Sequence, residues 1–264
     1  MANDTMFAEE RKIKIVEYIQ RHLKATVPEL CTTFDVSSAT IRNDLRELEK
    51  SGLILRTHGG AMVKTKTGFE LTEKQKLSRS SEEKRKIARF ALDLIEDGDT
   101  VILDTGTTTG ELAKLLHEKQ NIHVVTSDFN IASILEEAES VDIILLGGVV
   151  RKGFHCTIGA SGRGLLSSLT VDKAFMGANS FSFETGASTP DISQAETKKA
   201  MIEIAAKVIL LCDSSKLGKS SFARFAAVDE IDILVTDSIA SYDRARFEEL
   251  DIDVVSEAGE ITEK

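Results

Sequence analysis

Apolar positions in the first part of the chain recur at helical spacing. Ile15, Val16, Ile19 and Leu23 form one stripe on an amphipathic helix over residues 10–23. Leu30 and Phe34 lie one turn apart on a second, shorter helix, whose first turn accepts Pro28 because an N–H missing there costs nothing. Residues 35–38, Asp-Val-Ser-Ser, break the pattern. A third helix then begins with Ser37 or Ser38 as its N-cap and stops at Gly52. With residues placed about 100° apart around its axis, Ile41, Leu45 and Leu48 share one side. Ala39, Arg42, Asn43, Arg46 and Lys50 share the other, and Glu47 and Glu49 fall on the flanks. Beyond it, LILRTHGGAMV predicts a β-hairpin turning at Gly59-Gly60, a wing. Residues 1–63 are expected to be a winged helix-turn-helix domain.

Residues 64–80 are polar, with one glycine, and read as a linker. From residue 81 to 264 helical patterns alternate with short β-branched runs: VILD at Val101, HVVTS at His123, DIILL at Asp142, KAFMGA at Lys173, VILLCD at Val208, DILVTD at Asp232 and DVVS at Asp253. That rhythm of βαβ units predicts a mainly parallel α/β sheet covered by helices, with ligands bound beyond the strand C-termini.

Composition narrows the class. Of 264 residues 42% are apolar and 29% charged, with two prolines, so the chain is globular rather than disordered. The longest apolar run, VDIILLGGVV from Val141, is about half of what a membrane span needs. The start, MANDTMFAEERK, lacks the basic and apolar run of a secretory signal, so a cytoplasmic location is expected. Cys31, Cys156 and Cys212 lie far apart and read as small buried apolar residues. No metal site is visible among five dispersed histidines, and no cofactor is expected. Charge is asymmetric. Residues 1–66 hold eleven basic and nine acidic side chains, net +2, leaving 22 against 34, net −12, for the rest.

The third helix has one face that is small at its start, cationic, and free of acids. A narrow end enters a major groove, Arg and Asn bond base edges, and further cations meet phosphates. Ser37, Ser38, Thr40, Arg42, Asn43 and Arg46 are the candidate DNA contacts, with Arg56 and His58 on the wing.

Three polar loops follow predicted strands. Asp104-Thr105-Gly106-Thr107-Thr108-Thr109-Gly110 lies between a strand and a helix, where tight turns, inward N–H groups and threonine hydroxyls suit a phosphate. Gly147 to Gly153, with Gly148 and Arg151, and Asp213 to Lys219, with Lys216, combine small residues with cations. Lys152 and Lys219 read as solvated. Gly218-Lys219-Ser220 lacks the glycine at 213 that a P-loop needs, and Gly162-Arg163-Gly164 lacks the third glycine of a dinucleotide fingerprint.

Arg11, Ile15 and Ile19, followed by Ser37-Ser38-Ala39-Thr40-Ile41-Arg42-Asn43-Asp44-Leu45, resemble the N-terminal signature of DeoR-family bacterial transcriptional regulators. That family usually has a second basic residue at the place of Asn43. GDTVILDTGTTTGELA, VVTSDFNIA, IILLGGVVR, KAFMGANSF through AETKKAMI, and CDSSKLGKSSF resemble its C-terminal sensor, so the resemblance covers nearly the whole chain. It implies a Rossmann-like fold related to ribose-5-phosphate isomerases and CoA transferases, and a phosphorylated sugar or related metabolite as effector. Asp104 would meet sugar hydroxyls, Gly106 to Thr109 and Arg151 or Lys216 the phosphate; Lys198, in the helix after AET, is a further candidate. The protein implied is a repressor of a sugar or carbohydrate operon, binding double-stranded operator DNA as a homodimer or homotetramer.

The alternative is a sugar-phosphate isomerase or deaminase-like enzyme fused to a DNA-binding module. Enediol chemistry needs a carboxylate base and a carbonyl-polarising group on one loop. Where related isomerases carry paired acids after Gly177-Ala178, this chain has Asn179 and Ser180, leaving only the isolated Glu184 and Glu196. A regulator, not an enzyme, is expected. A nucleic-acid protein without an effector would leave the three loops unused.

Overall fold

The computed structural model describes residues 7–22, 24–63, 70–77 and 79–257; Leu23, expected on the first stripe, lies outside them. The chain divides into two compact units, residues 1–69 and 70–264.

In the first unit the predicted stripes are buried. Ile15, Val16 and Ile19 of α1 (Ala8–His22) pack with Leu30 of α2 (Val27–Phe34) and with Ile41, Leu45 and Leu48 of α3 (Ser38–Lys50). Between α1 and α2 a short strand, β1 (Lys24–Thr26), was not expected; it pairs with β3 (Gly60–Val63), which also pairs with β2 (Ile54–Thr57). A capping box, Thr26 with Glu29, starts α2, and Ser37 caps α3, whose end is followed by Gly52 at φ 73°. The wing turns one residue earlier than expected: Thr57 pairs with Gly60, so His58-Gly59 makes the turn. Gly60 is needed for a different reason, because a Cβ there would collide with the backbone of Ala25 on β1.

In the second unit α4 (Glu73–Leu77) and α5 (Ser81–Leu92) precede β4 (Thr100–Leu103), α6 (Thr107–Ala113), β5 (Ile122–Thr126), α7 (Phe129–Leu135) and β6 (Val141–Leu145). A hairpin of β7 (Val149–Arg151) and β8 (Cys156–Ile158) leads to α8 (Ala160–Leu166) and β9 (Val171–Gly177). Then come β10 (Ser180–Ser182), β11 (Gly186–Thr189), α9 (Ile192–Glu203), β12 (Ala205–Leu211) and β13 (Ala223–Ala226). β14 (Ile233–Val235), α10 (Ser241–Glu248) and β15 (Asp253–Val255) close the unit. All seven predicted strands join one parallel sheet, in the order β15-β14-β12-β9-β4-β5-β6.

The central strands of the sheet are buried on both faces, as their apolar runs require. Val101, Leu103, Phe175, Ile209 and Leu211 pack with Ile87, Leu112 and Ile131, from α5, α6 and α7. Their neighbours Ile102, Ala174, Met176 and Leu210 point the other way, to Leu166, Met201 and Phe247, from α8, α9 and α10. The strand order changes direction between β4 and β9, and a crevice beyond strand ends opens at such a switch point.

Two expectations change. Residues 64–69 and 78 of the expected linker lie outside the described residues, but residues 70–77 belong to the second unit, where Glu70 is fixed by ion pairs and Glu73 starts α4. Charge-rich sequence reads as solvated unless its partners are known. The loop Gly147 to Gly153 is partly strand: a Cβ at Gly148, φ 153°, would strike the carbonyl of Ile158, so this glycine serves closure of the β7–β8 hairpin. Cys156 and Cys212 are buried, and burial pushes their thiols up to about 11 and about 12; Cys31 is only half-buried. Among the described residues no helix is long and apolar enough to cross a membrane.

Candidate functional site

The exposed face of α3 is built by moving its acids elsewhere. Asp44 is buried against Arg11 of α1, Nε to Oδ2 at 2.7 Å, and that hydrogen bond raises the arginine's pKa. Glu47 accepts from Lys12 at 2.8 Å, which holds its carboxyl below the usual range, and Glu49 lies 3.8 Å from the Arg56 guanidinium. What remains outward is Ser38, Ala39, Arg42, Asn43, Arg46 and Lys50, all exposed. Asn43 is braced at 3.3 Å by both Arg46 and Glu47. Ser37 is exposed but occupied as the cap, accepting the amide of Thr40 at 3.2 Å, and Thr40 is half-buried. His58 is exposed at the wing turn, whereas Arg56 leans back toward Glu49. A cleft of about 660 Å³ separates α2 and α3 from the wing, lined by Pro28, Cys31, Ser38, Arg42, Arg56 and His58 among others.

The second site lies at the carboxyl edge of the parallel sheet. Asp104 directly follows β4 and Gly177 ends β9, the two strands at the switch point; the Gly177 amide donates to Asp104 at 2.9 Å. The ammonium of Lys198, from α9, bonds both the Asp104 carboxylate and the Gly177 carbonyl, and both charged side chains are nearly sealed from solvent. Thr105 donates to Asp128 at 2.7 Å, and Asp128 in turn caps α7; burial raises the Asp128 carboxyl. Gly106, at φ 150°, caps α6 and accepts the hydroxyl of Thr109 at 2.9 Å. Thr107 and Thr108 are buried in the first turn of α6, where amides have no intrahelical partner.

Cations gather around this edge. Arg151, on β7, reaches Glu70 at 2.7 Å and stacks on Phe154 with its guanidinium 3.8 Å from the ring centre. Lys76, on α4, bonds the other oxygen of Glu70 at 2.6 Å. Lys216 pairs with Asp213 at 3.1 Å; burial opposes its charge, but Asp213, Cys212 and Asp237 together outweigh burial and raise its pKa. Lys84, on α5, donates to the carbonyls of Lys76 and Arg79. Burial, with repulsion from Lys216 and Lys76, lowers it to about 8. Burial likewise lowers Lys76 despite its bond to Glu70, and Lys216 and Lys198 add repulsion.

Residues 11–67 match the DeoR-like helix-turn-helix domain, and residues 79–238 match the DeoR C terminal sensor domain. The chain belongs to the DeoR family. It is 38% identical to the HTH-type transcriptional regulator GlpR of Haloferax volcanii over 95% of this chain and 98% of that one. It is 40% identical to the HTH-type transcriptional repressor GlcR of Bacillus subtilis over 89% and 90%. Among solved structures, ribose 5-phosphate isomerase A from Methanocaldococcus jannaschii is similar with TM-score 0.40 and 21% identity, over 52% of this chain and 55% of that one. This DeoR-family protein is a DNA-binding transcriptional regulator and not an enzyme.

Of the effector residues expected from sequence, Asp104, Thr105 and Lys198 are joined to protein partners at the switch point, and Gly106 to Thr109 line the start of α6. Arg151 and Lys216 reach the same neighbourhood through Glu70 and Lys76, whereas Gly148 is explained by its hairpin. Glu70, Lys76, Lys84 and Asn179 were not anticipated as site residues. Three of them sit in charge-rich segments with no motif, and Asn179 was noted only as the absence of an acid. Its amide donates to Glu70 at 3.2 Å.

Proposed function

We propose that this DeoR-family regulator represses a sugar or carbohydrate operon and is gated by a phosphorylated sugar bound at the carboxyl edge of the C-terminal sheet. The observation that carries this reading is the collection of Lys84, Lys198, Lys216 and Arg151 around the switch point, where burial and then repulsion from Lys216 lower Lys84. Such a site gains free energy from an anion, and a phosphate supplies two charges and several acceptors. The first turn of α6, with Gly106 to Thr109, would add backbone amides that a helix start leaves without intrahelical partners. The sugar hydroxyls would meet Asp104.

Repression would act in the cytoplasm through Ser37, Ser38, Thr40, Arg42, Asn43 and Arg46 at the operator, with Arg56 and His58 near the phosphate backbone. A homodimer or homotetramer fits this reading, since paired recognition helices about 34 Å apart fit successive major grooves. Exposed Ile144, Leu145, Val149 and Val150 at the sheet edge supply an apolar surface for such pairing. The test is a thermal-shift screen of the full chain against sugar phosphates and their free sugars, followed by operator titration. A rise with one phosphorylated sugar and not its free sugar, accompanied by altered operator affinity, is the expected outcome. Binding without any change in operator affinity would overturn the gating.

A further inference from the structure

We infer that Glu70 is a tethered anion that fills a phosphate subsite whose fixed donors are Arg151 and Asn179, so that effector entry and release of segment Glu70 to Leu77, Lys76 included, are one event. The inference rests on the proposal that the effector carries a phosphate. The Glu70 carboxylate is 5% exposed and takes donors from three separate elements. Oε1 accepts Lys76 of α4 at 2.6 Å and Asn179, between β9 and β10, at 3.2 Å; Oε2 accepts Arg151 of β7 at 2.7 Å. Burial opposes its charge, yet Lys76 and Arg151 outweigh burial and hold the carboxyl below the usual range. Convergent donors around a buried anion are what a phosphate subsite requires, and a side chain already occupies it.

The segment that carries Glu70 is held largely by charge. The Glu73 carboxylate lies 2.6 Å from His155 Nδ1, and its amide donates to the Gly153 carbonyl at 3.2 Å. Lys76 sits 5.4 Å above the Phe154 ring, and the carbonyls of Lys76 and Arg79 take the Lys84 ammonium. Leu77 is half-exposed, Leu71 is half-buried, and α4 has a single turn and a fraction, so the apolar contact of the segment is short and local. A dianion competes for Arg151 with twice the charge of a carboxylate. The competition has a consequence along the chain, because Glu70 follows directly on the residues of the DNA-binding unit. Release of residues 70–77 therefore frees the start of the sensor unit where it adjoins the DNA-binding unit in sequence.

The test is calorimetric titration of inorganic phosphate and a panel of sugar phosphates into the full chain and into Glu70→Gln. Removing the competing charge is expected to tighten phosphate or sugar-phosphate binding about tenfold, as when a binding-competent state rises from a minor to the major population. Binding to both proteins with equal affinity overturns the inference and leaves the phosphorylated effector standing. No binding of any phosphorylated compound to either protein overturns both. A second measurement needs no variant: trypsin cleavage after Lys76 in the wild type is expected to accelerate at saturating ligand. Unchanged cleavage while ligand is bound overturns the release of the segment.

Discussion

The Lys198 ammonium is bonded to the Asp104 carboxylate at the switch point of the parallel sheet, with the two side chains 2% and 1% exposed. Both side chains are nearly sealed from solvent and paired with each other. The pair ties β4 to α9 and, through the Gly177 amide and carbonyl, to β9.

Lys198→Met removes one member of that pair and leaves a buried carboxylate with the Gly177 amide. Breaking a buried ion pair in this way costs about 3–5 kcal/mol. A urea titration is expected to show that loss, and a midpoint unchanged from wild type would show that Asp104 finds compensation elsewhere.

Arg42 is exposed at the centre of the outward face of α3 and lines the cleft beside the wing. Arg42→Ala is expected to weaken operator binding by about 1–3 kcal/mol if the guanidinium bonds a base edge, and to relax sequence preference at one position. Fluorescence anisotropy with operator and scrambled duplexes measures both effects. Equal loss on the two duplexes would assign Arg42 to a phosphate instead.

Thr108→Asp places a carboxylate in the first turn of α6, where the helix tolerates negative charge but a phosphate would be repelled. The variant should bind operator as the wild type does and lose its response to the phosphorylated ligand. A response equal to wild type would place the phosphate away from this loop.

Lys84 makes stability depend on pH. Burial, then repulsion from Lys216 and Lys76, lowers it from 10.5 to about 8 in the folded chain, with Asp213 and Glu83 acting the other way. Below about pH 8 it is charged in both states and the folded chain bears the full cost. Between 8 and 10.5 the unfolded chain binds more protons, so stability rises with pH across that window. The urea midpoint is expected to climb between about pH 8 and about pH 10.5 more steeply in wild type than in Lys84→Met. Equal slopes would show that Lys84 keeps its proton throughout.

Local pattern determined much of this protein. Apolar spacing alone identified the three helices and the strands of the parallel sheet, because a buried stripe or a doubly covered strand writes its period directly into the sequence. The cap at Ser37 and the cationic face of α3 were equally legible, since both depend on residues within a turn or two. Tertiary structure decided what depends on distant partners. Gly60 needed β1 to explain it, and Asp44 needed Arg11, which is far from it in sequence. Glu70 and Lys76 read as part of a polar linker because isolated charges are usually exposed; only folding showed Glu70 facing Arg151 across 81 positions of the chain. A charge's role is set by the field of its neighbours, and that field exists only once the sheet edge has brought them together.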